Sequence, residues 1–198
     1  TWNWKAGGTG VTNNDGSIQS TVSANTEAGF SIVSYTGTGS AGTIGHGLNS
    51  APEMVIIKSR TGAVDWIVLF NVVDGSWDFM RLNTTAAKSN TTIFNADADT
   101  LDFSASSSLA NTSGSNYICY CFSSKQGYSK FSRYTGNTDD DGPFVYTGFR
   151  PSFVMVKRAV TSSTGSWAIV DSKRAEYNPE TDALLANLQL AESTGYLP

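Results

Sequence analysis

Charge is scarce in this chain, at 15% of 198 residues, and cations are the scarcer sign, with 13 Lys and Arg against 17 Asp and Glu. No basic run exceeds two residues and the net charge is -4, so the electrostatic footprint of a nucleic-acid-binding surface is missing. Histidine occurs once, at His46, inside a Gly-His-Gly stretch. A hydrolytic triad needs a histidine beside a nucleophile and an orienting acid, whereas a histidine flanked by glycines reads as part of a turn. Cysteine occurs twice, at Cys119 and Cys121 in NYICYCF. Two residues apart on a strand, both thiols point to one face with Cβ atoms too far apart for the roughly 3.5–4.5 Å of a disulfide. They read as free thiols, compatible with folding in a reducing cytoplasm, and a zinc site would need two further ligands. No apolar run approaches the roughly 20 residues that span a bilayer, and no charged-then-apolar segment opens the chain as a secretory signal would. Membrane insertion and bound cofactors are therefore not expected.

What the chain has instead is glycine, hydroxyls and aromatics. Nineteen Gly residues and 12% Phe, Trp and Tyr suit short strands joined by many turns better than helices. One pattern also occurs twice. Tyr35-Thr36-Gly37 returns as Tyr134-Thr135-Gly136, Gly47 as Gly148, the run Met54 to Lys58 as Phe153 to Lys157, and Trp66-Ile67-Val68 as Trp167-Ala168-Ile169. The offset stays near about one hundred residues throughout, which marks a duplicated unit. In the second copy Thr147 stands where the first has His46, again unlike a catalytic position.

Apolar and β-branched runs bounded by turn residues predict strands over 30–35, 54–58, 64–70, 77–82, 91–95, 101–104 and 117–122, and again over 128–134, 144–147, 153–157 and 166–171. The continuous run 54–58 predicts a strand covered on both faces. One helix is predicted over 182–192, from Leu184, Leu185, Leu188 and Ala191 at helical spacing. The expected fold class is all-β, with two tandem related antiparallel β-sandwich units of jelly-roll type. An N-terminal extended segment would occupy 1–29, the first unit 30–126, and an incomplete second unit 127–198. Residues 100–133, which include NYICYCF, have no counterpart in the second copy. A second unit built like the first would therefore leave a sheet edge unpaired, which invites pairing with another chain.

Few residues suggest chemistry. Trp77 beside Asp78 is a candidate sugar site, an aromatic face next to a carboxylate, set against a plain half-buried strand tryptophan. Asp139, Asp140 and Asp141 before Gly142-Pro143 are candidate calcium ligands, but they lack the alternating spacing of calcium loops and read more simply as a solvated turn. Asp97, Asp99 and Asp102 invite the same thought. Arg150, Lys157 and Arg158 read as solvated edge residues. No metal and no catalytic residue is assigned.

The stretches WKAGG, VTNNDGSIQSTVSANTEAGFSIVSYTG, GHGL, YCF, YSKFSRYTGN and DGPFVYTGFRPSFVMVKR together resemble a domain of tail-fibre and other virion structural proteins of marine bacteriophages, where it lies downstream of a concanavalin A-like lectin domain. The likeness covers nearly the whole chain. It implies a structural protein of the virion, a tail fibre, spike or capsid-attached appendage assembled in the bacterial cytoplasm. The implied partners are other virion proteins, further copies of the chain with a trimer favoured by the cyclic symmetry of fibres, and a host-surface glycan. The implied role is binding and scaffolding, not enzymatic. Two alternatives are a free carbohydrate-binding module or adhesin, which would be monomeric with an exposed aromatic platform, and a glycan-cleaving tailspike, which needs a pair of carboxylates in a groove.

Overall fold

The computed structural model describes residues 3–92, 94–104, 107–139, 141–159, 165–174 and 182–194. Three strands with strict alternation form its centre. In β3 (Phe30–Thr36), β5 (Met54–Ser59) and β11 (Asn116–Phe122), the residues Val33, Tyr35, Val55, Ile57, Tyr117, Cys119 and Cys121 face one way and are buried. Period-2 patterning of this kind fixes register, because a one-residue slip would turn every core residue to the opposite face. β11 lies between the other two, with Cys119 opposite Val33 on one side and Ile57 on the other. Around this centre β1 (Val11–Asn13), β2 (Ser20–Asn25), β6 (Ile67–Phe70), β7 (Asp78–Arg81) and β8 (Ser89–Asn90) complete an antiparallel sheet in the order β1-β2-β3-β11-β5-β6-β7-β8. Residues 11–25, expected as part of an extended lead-in, thus contribute two strands. The turn from β2 into β3 ends at Gly29 with φ 64, where a Cβ would lie 2.4 Å from the Ser123 carbonyl oxygen, so only glycine fits.

A second layer closes over the inner face. β4 (Gly42–Gly45), β9 (Phe94–Ala96) and β10 (Thr100–Phe103) form an antiparallel sheet in the order β4-β10-β9. Ile44, Leu101 and Phe103 from this layer meet Val33, Val55 and Ile57 from the larger sheet in one core. Through that core runs a file of rings. Tyr117 stacks on Tyr35 at 5.2 Å, Tyr35 on Phe103 at 5.8 Å, Phe103 meets Phe94 at 5.7 Å, and Phe94 meets Trp77 edge-on at 4.7 Å. The phenols are satisfied at the sandwich end: Tyr35 Oη donates to the Ala110 carbonyl, and Tyr117 Oη accepts from the Thr112 N–H at 3.0 Å. Buried Tyr hydroxyls ordinarily find such partners.

The second copy of the repeat is a three-stranded antiparallel sheet of β12 (Phe153–Lys157), β13 (Trp167–Asp171) and β14 (Leu184–Leu185), in the order β12-β13-β14. Its hairpin keeps the register of the first: Met54 pairs with Phe70 and Ile57 with Ile67, while the equivalent Phe153 pairs with Asp171 and Val156 with Ala168. The duplication seen in the sequence is therefore a duplication of strand pairing. The two hairpins meet through their outer faces, where Trp167 and Met155 pack with Met54, Ile56, Val68, Phe70 and Met80. This second core explains why all four residues of β6 are buried, one pair facing each core.

Three sequence expectations need correction. The predicted helix over 182–192 does not form; β14 occupies the place beside β13 that β7 holds beside β6, with Leu184 opposite Ile169 and Leu185 opposite Ala168. A free ladder position outweighs a short helical pattern whose apolar stripe had nothing to bury against, and Leu188 and Leu190 remain exposed. The expected strands over 128–134 and 144–147 are also irregular and largely exposed among the described residues. Their equivalents in the first copy pair with β11 and β10, and strands without partners leave backbone groups to water. No helix occurs among the described residues.

Candidate functional site

Trp77 and Asp78 are brought together, but inside the protein. The Trp77 ring is buried against Phe94, and its Nε1–H donates to Asn95 Oδ1 at 3.2 Å. Asp78 is fully buried on the other face of β7 and accepts two hydrogen bonds from Lys88 Nζ, at 3.0 and 2.9 Å. Lys88 also reaches Asp74 at 3.0 Å and Asn90 at 3.1 Å, and Asp78 foremost holds its ammonium above the usual lysine range. The pair therefore ties β7 to β8 and offers no face to a sugar.

Asp139 and Asp141 lie in an exposed turn whose carboxylate and amide groups are used locally. The Asp139 N–H donates to Asn137 Oδ1 at 3.2 Å, and the Asp141 N–H to Asp139 Oδ1 at 3.0 Å. Asp140 lies outside the described residues. Among the described residues no cluster of three or more His, Cys, Asp or Glu side chains is placed to hold a metal ion. Asp97 closes the β9–β10 turn by accepting from the Asp99 and Thr100 N–H groups at 2.8 and 2.6 Å, which lowers its pKa. Arg150 is exposed, and Lys157 Nζ donates to the Thr85 carbonyl at 3.1 Å, so it is a strut between the two copies.

His46 is buried and acts as a cross-link. Its Nδ1 accepts from the Leu48 N–H at 3.2 Å, which places the proton on Nε2, 3.3 Å from the Asp97 carbonyl oxygen. Burial lowers its pKa, consistent with a neutral ring. Cys119 and Cys121 are free and buried; burial raises both thiols, Cys121 to about 12. Neither is available as thiolate nucleophile or ligand.

The larger feature is a groove of about 910 Å³ on the outer face of β2, β3 and β11. Two side-chain bonds lay residues 5–8 along β2 to form one wall: Ser23 Oγ donates to the Gly8 carbonyl at 2.7 Å and Asn25 Nδ2 to the Lys5 carbonyl at 3.1 Å. Gly7 is required here, since a Cβ would lie 2.1 Å from the Ala24 carbonyl oxygen. Ile32 and Ile118 give an apolar floor, Thr21, Ser23 and Ser34 add hydroxyls, and Lys5, Glu27 and Arg60 stand at the margin. At one end Trp4, 45% exposed, meets Phe122 and Phe153 edge-on at 6.2 and 5.4 Å. None of these residues is among the candidates that the sequence suggested. The alternating hydroxyls of STVSAN at 20–25 were the overlooked signal for β2 and its solvent face.

A family described as a domain of unknown function (DUF7483) matches residues 1–196. The chain belongs to that family. No curated protein and no solved structure matches it. The chemistry open to this member follows from the groove itself: apolar floor, ring edge, hydroxyls and a few charges would suit a polar ligand with apolar patches. Glu27 is the one carboxylate among its described lining residues, whereas glycoside cleavage ordinarily uses two.

Proposed function

We propose that this protein is a structural component of a bacteriophage virion, a tail fibre, spike or capsid-attached appendage, whose outer-face groove binds a host-surface glycan. The groove carries the glycan part of this reading. Sugars combine apolar C–H faces with dense hydroxyls, and Trp4, Ile32 and Ile118 next to Ser, Thr, Asn and Arg side chains match that mixture. A lone Glu27 supports binding over cleavage. The virion part rests on the sequence resemblance and on the turn-rich all-β build, which suits an assembled appendage.

The test is binding to arrayed host-surface polysaccharides by the wild type, Trp4→Ala and Arg60→Ala. Wild-type binding that falls at least about tenfold in both variants is expected, the loss of roughly one good contact each. No binding by the wild type, or binding indifferent to both changes, sinks the groove as the site. Light scattering separates an appendage, expected as a closed oligomer, from a free binding module, expected as a monomer. Release of reducing sugar from a bound polysaccharide would turn the reading toward a cleaving tailspike.

A further inference from the structure

Charge is not spread evenly along the groove. β11, which lends Ile118 to its floor, runs from Asn116 to Phe122, about 20 Å at the usual rise per residue. At the Phe122 end stand Trp4, whose ring meets Phe122, Lys5, whose carbonyl is held by Asn25, and Glu27 in the turn between β2 and β3. Lys5 and Glu27 offset each other there. At the Asn116 end stands Arg60, directly after β5, with its N–H donating to the Asn116 carbonyl at 2.7 Å. Lys58, two residues earlier on the same face, is in register with Ile118 and donates to the Val64 carbonyl at 2.7 Å, so it adds positive charge beside Arg60. The acids nearest Arg60 in sequence are engaged elsewhere: Glu53 accepts from the Ser124 N–H at 2.7 Å, and Asp65 pairs with Arg81 at 2.8 Å. Among the described residues the Arg60 side chain has no hydrogen bond or ion pair of its own. One end of the groove is thus aromatic and balanced in charge, and the other is cationic, in a chain whose net charge is -4.

We propose that the ligand of the groove is an acidic polysaccharide, one whose sugars carry carboxylates, with a carboxylate seated on Arg60 and the apolar face of a sugar farther along turned toward Ile32 and Trp4. This deepens the glycan-binding reading and rests on it; the virion assignment is not needed. A guanidinium presents a planar fork that matches a carboxylate with two parallel hydrogen bonds, and charge-assisted bonds of that kind are stronger than neutral ones. A neutral glycan uses the floor and the hydroxyls but leaves the fork to water. Since the chain as a whole is acidic, it does not draw an anionic polymer from a distance. The carboxylate contributes at contact, which makes Arg60 a determinant of which glycan is held.

The probes are uronate-containing bacterial polysaccharides, each arrayed beside its own carboxyl-reduced, neutral form, and read with wild type, Arg60→Met, Arg60→Lys and Trp4→Ala. The wild type is expected to bind the acidic forms at least about fivefold more tightly than the reduced ones, the contribution of an exposed charge pair, with the margin shrinking in roughly 1 M NaCl. Arg60 is exposed and its backbone bond to Asn116 does not depend on its side chain, so Arg60→Met is expected to keep the wild-type circular dichroism and lose the margin. Arg60→Lys, which keeps the charge without the fork, is expected to fall between, and Trp4→Ala to weaken both forms alike while the margin stays. Equal binding of acidic and reduced forms by the wild type overturns the acidic ligand and leaves the groove as a site for neutral glycan. A margin that survives Arg60→Met overturns Arg60 as the seat of the carboxylate. Binding of neither form overturns this proposal and the glycan reading together.

Discussion

Replacing Lys88 with methionine removes the one cation that, among the described residues, hydrogen-bonds Asp78, and keeps most of the apolar stem. Asp78 is fully buried and Lys88 only 15% exposed at the side chain. Without the ammonium, Asp78 loses two charge-assisted hydrogen bonds of 2.9 and 3.0 Å. Breaking such a pair by removing one partner costs about 3–5 kcal/mol, because the other charge stays buried. Lys88 reaches the surface, and water can approach the vacated end, so the lower figure of about 3 kcal/mol applies. For a chain of this length that is a fall in Tm of about 6–12 °C. The assay is urea and thermal unfolding followed by circular dichroism, at low salt and at 1 M NaCl, since a buried pair is screened little. In the Asp78→Asn background the same Lys88→Met change is expected to cost less than half as much, as no charge is left stranded. A single Lys88→Met variant within about 0.5 kcal/mol of wild type, the range of an ordinary surface change, would refute the argument.

Four further outcomes are expected. Cys119 and Cys121 are buried with raised pKa values, so a thiol reagent at neutral pH is expected to label them only at the rate of unfolding, and fast labelling of the folded protein would contradict their placement. His46 has its folded pKa lowered by burial, so its contribution is complete above the unfolded value of about 6.5 and is lost as pH falls from there through the folded value; His46→Thr should flatten stability across that window, and an unchanged slope would show the ring to be solvated. Trp167→Ala removes a buried ring and its 2.9 Å bond to the Arg81 carbonyl, at about 3–5 kcal/mol, and limited proteolysis should then cut within 127–198 while 3–126 stays resistant; an unaltered digestion pattern would deny the second core. Gly7→Ala drives a Cβ into the Ala24 carbonyl and should lift the groove wall, weakening glycan binding without lowering Tm by more than a few degrees, and full binding would separate the wall from the site.

Alternation in FSIVSYT and NYICYCF, and the uninterrupted run MVIIK, are local consequences of strands half or wholly buried, so the core strands of the first copy were legible from residue order. The repeat was legible too, because equivalent hairpins keep the same pairs: Met54 with Phe70, Phe153 with Asp171. The candidate site was not. Trp77-Asp78 looked like a sugar contact because two neighbours in sequence suggest a shared surface, yet on a strand they point to opposite faces, and here both faces of β7 are covered. The groove gathers Lys5, Thr21, Arg60 and Ile118 from four separate stretches, which no spacing rule connects. For the same reason Leu184-Leu185 read as helix: its period was local, while the vacant place beside β13 was not.

The sequence by itself determined that this protein is all-β, that its thiols are free, and that one hairpin is used twice, since periodicity, cysteine spacing and self-similarity are properties of the chain alone. Only the tertiary structure decided that the second hairpin packs outer face to outer face on the first and that Asp78 is paired with Lys88. Each of these depends on which surfaces are left to be covered once the first sandwich has closed, and burial of that kind is a property of the assembled layers.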